Sequence, residues 1–367
     1  MVYNWQQNDW PDFRYDLLPL RAELFVFAEH FGRIGGLMEG LPHGLETETV
    51  LDLMIAEAMK TSEIEGEFLD YADVMSSIRN RLGLNPSPEP VKSRLAKGVG
   101  ELMVAVRESF AEPLDERALF QWHEILLGGS SPLSVGAWRS GGDPMQVVSG
   151  RIDQPTVHFA APPSHQVPRE MAAFFGWFNE TAPTGKTPML DAPIRAAMAH
   201  LYFESIHPFD DGNGRIGRAI AEKALSQGLG APVILSLSKA IEAKRGAYYE
   251  ALKMAQRSNE ITPWLCYFLG MLIDAQGDAE KQITWILRKS KFFQRYENLL
   301  NDRQRKALHK MFAAGSGGFV GGMNVRKYLA ITKTSKATAT RDLQHLAAIG
   351  ALTAMGSGRA VRYEIGR

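Results

Sequence analysis

One twelve-residue run constrains this chain more than any other part of it: His207-Pro208-Phe209-Asp210-Asp211-Gly212-Asn213-Gly214-Arg215-Ile216-Gly217-Arg218. Ahead of it, Ile194, Ala197, Met198, Leu201 and Tyr202 recur at helical spacing, and behind it Ile216, Ile220 and Ala224 do the same. A proline disfavours helical backbone in the residue before it, so the first helix must end near His207. The Gly212-Asn213-Gly214 turn then opens the second. The run is therefore a junction between two helices, and the second helix presents unpaired backbone amides to the turn. Its glycines also fit G-x-G-x-x-G, but the dinucleotide fingerprint needs a preceding strand, and here a helix precedes.

Such a junction suits phosphate chemistry. Bare amides at a helix N-terminus, beside glycines that let a ligand come close, make an anion site from Gly212, Asn213 and Gly214, and the Asn213 side chain adds a donor. Arg215 and Arg218 lie three apart and project from one helix face, and guanidinium groups pair phosphate oxygens bidentately. Asp211 offers a hard oxygen ligand of the kind that holds Mg²⁺ against phosphates. His207 supplies a base able to take a proton from an attacking hydroxyl.

The run matches H-P-F-x-[DE]-G-N-G-R-x-x-R at every fixed position, and in this the chain resembles the Fic family, whose members mostly transfer AMP from ATP to protein hydroxyls. The resemblance implies an enzyme, a protein adenylyltransferase, with ATP as substrate, Mg²⁺ as cofactor and a protein bearing a Ser, Thr or Tyr hydroxyl as partner. It implies His207 as catalytic base, Asp211 as metal ligand and Gly212, Asn213 and Gly214 as the anion hole. Arg215 and Arg218 would bind the outer phosphates, and Gly217 would stand among the ATP contacts. Tyr248, Tyr249 and Gln256 lie where relatives contact the nucleoside. Thr61-Ser62-Glu63-Ile64-Glu65-Gly66 fits the family's inhibitory pattern [ST]-x-x-x-E-[GN] through Thr61, Glu65 and Gly66. That likeness implies autoinhibition by a Glu65 carboxylate occupying Arg218.

The rest of the chain arranges itself around this centre. Two β-type runs, Met145–Val148 and Thr156–Phe159, interrupt a helical sequence and predict a hairpin. It resembles the family's flap, with Val147, Val148, Ser149 and Gly150 aligning a target segment by strand addition. The expected fold is mainly α, a Fic-type helical bundle with that hairpin, divided as an N-terminal helical domain (1–90), a catalytic core (91–280), a connecting helix (281–300) and a winged helix-turn-helix (301–367). The alternating prolines Pro86, Pro88 and Pro90 mark the first boundary. In the last segment, a helix carrying Lys336, Thr338, Thr340 and Arg341 outward and Leu343, Leu346 and Ile349 inward is followed by a wing bearing Arg359 and Arg362.

The formal net charge of zero hides an asymmetry. Residues 281–367 hold 17 Lys and Arg against four acids, which leaves the first 280 residues acidic by the same margin of 13. A basic body beside an acidic one makes DNA a candidate partner and a DNA-binding regulator the rival reading; a homodimer and an enzyme that removes AMP are further alternatives. The single cysteine, Cys266, excludes an intrachain disulfide, no apolar run reaches membrane-spanning length, and a cytoplasmic protein is expected. No ligand spacing suggests zinc, so His200 is expected in the core, and His123, His158 and His165 in ordinary polar contacts.

Overall fold

The structure is a computed structural model that describes residues 2–128, 134–142, 145–151, 154–315, 317–356, 358 and 361–366; for 148–151 and 154–156 only the backbone is described. The described residues are mainly helical and divide into two compact units, Met1–Arg33 with Val50–Ala279, and Ile34–Thr49 with Glu280–Arg367. The helices in chain order begin with α1 (Arg21–Glu39), α2 (Leu45–Ile64), α3 (Tyr71–Arg81), α4 (Arg94–Glu108) and α5 (Glu116–Leu127). Side-chain oxygens of Asp70, Ser93 and Asp115 accept the first backbone amides of α3, α4 and α5, each such cap contributing about 1 kcal/mol.

The expected hairpin forms from β1 (Gln146–Arg151) and β2 (Gln154–Ala160), antiparallel, with Val147 opposite Phe159 and Arg151 opposite Gln154. Its strands run further toward the turn than the apolar pattern suggests, because Pro155 faces Gly150 at a hairpin edge that needs no donor. A bulge between Val147 and Val148 shifts the register. Helices α6 (Val167–Glu180), α7 (Ala192–Ile206), α8 (Asn213–Leu229), α9 (Leu237–Ala243), α10 (Arg245–Ala255) and α11 (Thr262–Tyr296) follow, the last running unbroken through residue 280.

The first unit is organised around α7, which is buried along its whole length. The amphipathic helix expected before His207 is thus a central one, and its polar residues must find partners inside the protein. Arg195 does so through Phe178 O, Ala224 O, Thr181 Oγ1 and Gln227 Oε1. Burial lowers its guanidinium to about 10, so it stays charged at neutral pH. Residues near the start of the chain brace the same helix: Asn4 Nδ2 donates to Ser205 Oγ, and Trp10 packs edge-on against Tyr202.

In the second unit, α12 (Asp302–Phe312), α13 (Val325–Thr332) and α14 (Lys336–Ala348) are followed by the antiparallel pair β3 (Leu352–Met355) and β4 (Arg362–Ile365). Asn301 and Gln304 form a reciprocal capping box on α12, and Ser335 caps α14. Leu308, Met311, Tyr328, Leu343 and Leu346 make the core. Lys336, Arg341 and Arg362 are exposed, whereas Thr338 and Thr340 are half-buried; Arg359 lies outside the described residues. Among the described residues, no helix is long and apolar enough to cross a membrane.

Candidate active site

His207 follows the last residue of α7 and takes a left-handed backbone, φ 51° and ψ 61°, which is rare for a residue with a Cβ and costs energy unless the surroundings hold it. They hold it closely. Its N–H donates to Phe203 O at 2.9 Å. Arg139, 3% exposed, donates from Nε to His207 O at 2.8 Å and from Nη2 to Ile206 O and Pro162 O, while its backbone N–H reaches Pro208 O. Burial lowers the Arg139 guanidinium to about 10, with Asp210 opposing the shift, so a cation remains on these carbonyls at neutral pH. Sequence reasoning missed Arg139, since a lone arginine among glycines, serines and prolines carries no periodic or motif signal.

The turn after His207 is locked from within. The Asn213 side chain accepts from Phe209 N at 2.9 Å and donates to Phe209 O at 2.8 Å. The carbonyl oxygen and one of the two N–H donors of its amide are therefore engaged in the turn. Gly212 caps α8 at φ 82°, where a side chain would be strained, and leaves the amides of the first turn open. Phe209 is fully buried and stacks on His123, whose Nε2 meets Asp211 O at 3.1 Å. His123 is thus more than a casual polar contact, because it supports the turn from beneath. Burial lowers its pKa and favours the neutral ring.

A cavity of about 670 Å³, within the range of small-molecule sites, opens over this junction. It is lined by His207, Asp210, Asp211, Gly212, Asn213, Gly214 and Arg218 from the junction, by Met145, Val147, His158 and Phe159 from the hairpin region, and by Tyr248, Tyr249 and Gln256 from α10 and its end. Most residues singled out in the sequence therefore meet in one place. Arg215 and Gly217 do not line the cavity, and the side chains of Val148, Ser149 and Gly150 lie outside what is described. Tyr248 is buried with its hydroxyl 2.7 Å from His200 Nε2, Tyr249 is partly exposed, and Gln256 Nε2 donates to Glu204 O at 3.1 Å. Burial raises the Tyr248 phenol well above its ordinary value, so it remains a neutral donor. His200 is a core residue whose pKa is lowered by burial.

The end of α2 enters the same cavity. Arg218 donates from Nε to Thr61 Oγ1 at 2.8 Å and from Nη2 to Thr61 O at 3.0 Å and Glu65 Oε1 at 2.7 Å. Burial opposes the Arg218 charge, but Glu65, Tyr248 and Glu204 together outweigh it and raise the guanidinium above its ordinary value. The Glu65 carboxylate lies so close to Gly214 that a methyl group there would collide with Oε1, which puts a negative charge over the first turn of α8. A second carboxylate, absent from the sequence reading, engages the other arginine: Glu67 Oε2 accepts from Arg215 Nη1 at 2.5 Å, with Asp211 Oδ1 3.5 Å from Nη2. Burial raises the Glu67 carboxyl, with Arg215 opposing. Both arginines of the motif are thus occupied by acids from the segment at and just beyond the end of α2.

Comparison with known proteins agrees with this geometry. Residues 113–225 match the family model described as Fic/DOC family, and residues 3–84 match one described as a domain of unknown function (DUF4172). The protein adenylyltransferase Fic of Drosophila melanogaster is 24% identical over 266 residues, covering 69% of this chain and 50% of that protein. The crystal structure of a Fic family protein from Desulfovibrio desulfuricans G20 aligns with a TM-score of 0.51 at 22% identity, over 93% of this chain and 95% of that one. A Fic domain containing signaling protein from Bacteroides thetaiotaomicron aligns at 0.53 and 18% identity, over 71% and 97%. The chain contains a Fic/DOC family domain over residues 113–225. It spans about half the length of the curated relatives it matches first, and the likeness to the two solved structures extends to the Fic fold alone.

Proposed function

We propose that this Fic protein transfers AMP from ATP to a hydroxyl of a protein target, and that Glu65 restrains it. One observation carries the reading: a base, an open helix N-terminus and a buried arginine converge on one cavity of nucleotide size. The target hydroxyl attacks the α-phosphorus, its proton passes to His207, and the bond to the β-phosphate breaks to release pyrophosphate. The amides of α8 and the Arg218 guanidinium offset charge developing on the phosphate oxygens. Asp211, half-exposed at the cavity, suits a Mg²⁺ that takes one carboxylate and otherwise phosphates and water. Such an ion neutralises phosphate charge when bound. The edge of β1–β2 beside the cavity suits an extended target segment.

Glu65 competes with the triphosphate for Arg218. A partly buried charge-assisted pair of this kind contributes about 1.5–3 kcal/mol, a roughly tenfold or larger weakening of productive binding. Glu65→Gly is expected to add AMP to itself or a target, detected as modified Ser, Thr or Tyr by mass spectrometry, and Glu65→Gly/His207→Ala to add none. Modification that survives loss of His207 would refute the role given to that residue. Release of AMP from modified protein by the wild type would instead assign Glu65 to removal of the group.

The basic second unit supports a further reading, contact with DNA, because Lys336 and Arg341 are exposed on α14 while Ala339, Leu343 and Leu346 are buried on its other face. Duplex binding that weakens steeply with salt and is reduced in Lys336→Ala/Arg341→Ala is the expected result.

A further inference from the structure

Glu204 lies three residues before His207 on α7, and its Oε2 faces His207 Nδ1 at 3.6 Å. His207 Nδ1 and the other carboxylate oxygen, Glu204 Oε1, are buried without a hydrogen-bond partner among the described residues. A buried acid left in that position needs a reason, since an unsatisfied polar group costs about 1–3 kcal/mol. Space has been kept for it. A Cβ at Gly217 would collide with Glu204 Oε1, so the glycine lets α8 pass directly over the carboxylate.

We propose that Glu204 is the positioning residue of His207, holding the imidazole with its proton on Nδ1 and leaving Nε2 bare to receive the target's proton. The identity of that target hydroxyl rests on the AMP-transfer reading; the orientation of the ring does not. The charged and titratable groups facing Glu204 are His207 and His200 from its own stretch of chain, Arg218 from α8 and Tyr248 from α10. Burial pushes the carboxyl up, but His207 first, then His200 and Arg218, outweigh it and hold it below the usual carboxylate range. An ionised Glu204, which the Arg218 guanidinium favours whether or not the rings carry charge, can only accept hydrogen bonds. Facing an acceptor, a neutral imidazole places its proton on the near nitrogen, which is Nδ1. The Glu204–His207 distance leaves room for the pair to tighten when substrate closes the cavity.

The ring proton can be located without any turnover. In full-length protein labelled with ¹⁵N-histidine, long-range ¹H–¹⁵N spectra assigned with His207→Ala are expected to show His207 protonated on Nδ1 at a pH where the ring is neutral. In Glu204→Ala the signal is expected to move toward the Nε2-protonated form. In the Glu65→Gly background, Glu204→Ala is expected to lower kcat by about tenfold or more while ATP affinity is retained, as when the partner of a catalytic histidine is removed elsewhere. Wild-type His207 protonated on Nε2 would overturn the proposal whether or not any variant folds, and so would an unchanged tautomer in folded Glu204→Ala. Absence of AMP transfer in Glu65→Gly would strike the functional reading alone and leave the tautomer result standing.

Discussion

The chemistry of the site depends on residues that touch no substrate. Arg139 spends its guanidinium on carbonyls around His207, so the strained backbone of that residue is held by a buried cation. Arg139→Met is expected to abolish AMP transfer in the Glu65→Gly background and to lower the melting temperature, because three carbonyls lose their donor; calorimetry with a transfer assay checks both. Glu67 acts on the other side of the junction, where its bond to Arg215 makes a second hold on the motif. Arg215, unlike Arg218, does not line the cavity, so the effect is smaller: Glu67→Gln alone is expected to raise transfer less than Glu65→Gly, and to raise it further when combined with Glu65→Gly. Initial rates of the three variants decide this, and a slower double variant would show that Glu67 supports the site rather than restrains it. Asp211, Gly214 and Arg218 were readable from spacing because a motif places them. Arg139, Glu67 and Glu204 were not, because their roles come from contacts across up to 148 residues of chain or from a burial that no pattern announces.

At the scale of elements, α7 and α8 carry the junction and α2 closes it. The break at Pro208 and the glycine turn made the α7–α8 boundary legible in advance, since both follow from local backbone sterics. The hairpin was legible too, though its length was not, as pairing past Pro155 depends on the partner strand. That α7 is buried on every side was hidden, because charged residues such as Arg195 and Glu204 look solvent-facing until their partners are known. One pairing links α2 to α8 in a pH-dependent way. Glu222 of α8 lines a small space with Glu57 of α2 and Arg107 of α4, although part of its surface meets solvent. Burial and then Glu57 push its carboxyl from an ordinary 4.5 to about 8. The folded protein thus keeps a proton that the unfolded chain releases near 4.5, and the stability this contributes is lost as pH rises from about 4.5 through about 8. Glu222→Gln is expected to flatten that decline in thermal melts across the same window; an unaltered slope would place its cause elsewhere.

For the whole molecule, the acidic and basic stretches of the sequence correspond closely to two compact units, one holding the cavity and the other exposing cations on α14 and β4. The charge counts made that separation visible early, whereas the inclusion of residues 34–49 with the C-terminal unit follows from tertiary contacts that composition does not encode. The account as a whole stands on AMP transfer restrained by Glu65. The most direct measurement incubates wild type, Glu65→Gly and Glu65→Gly/His207→Ala with Mg²⁺ and ATP labelled either at the α- or at the γ-phosphate, with and without cell extract. The account predicts protein-bound α-label in Glu65→Gly, little in wild type, none in the double variant, and no γ-label in any. Equal α-labelling of wild type and Glu65→Gly would contradict the restraint, and γ-label on protein would contradict AMP as the group transferred.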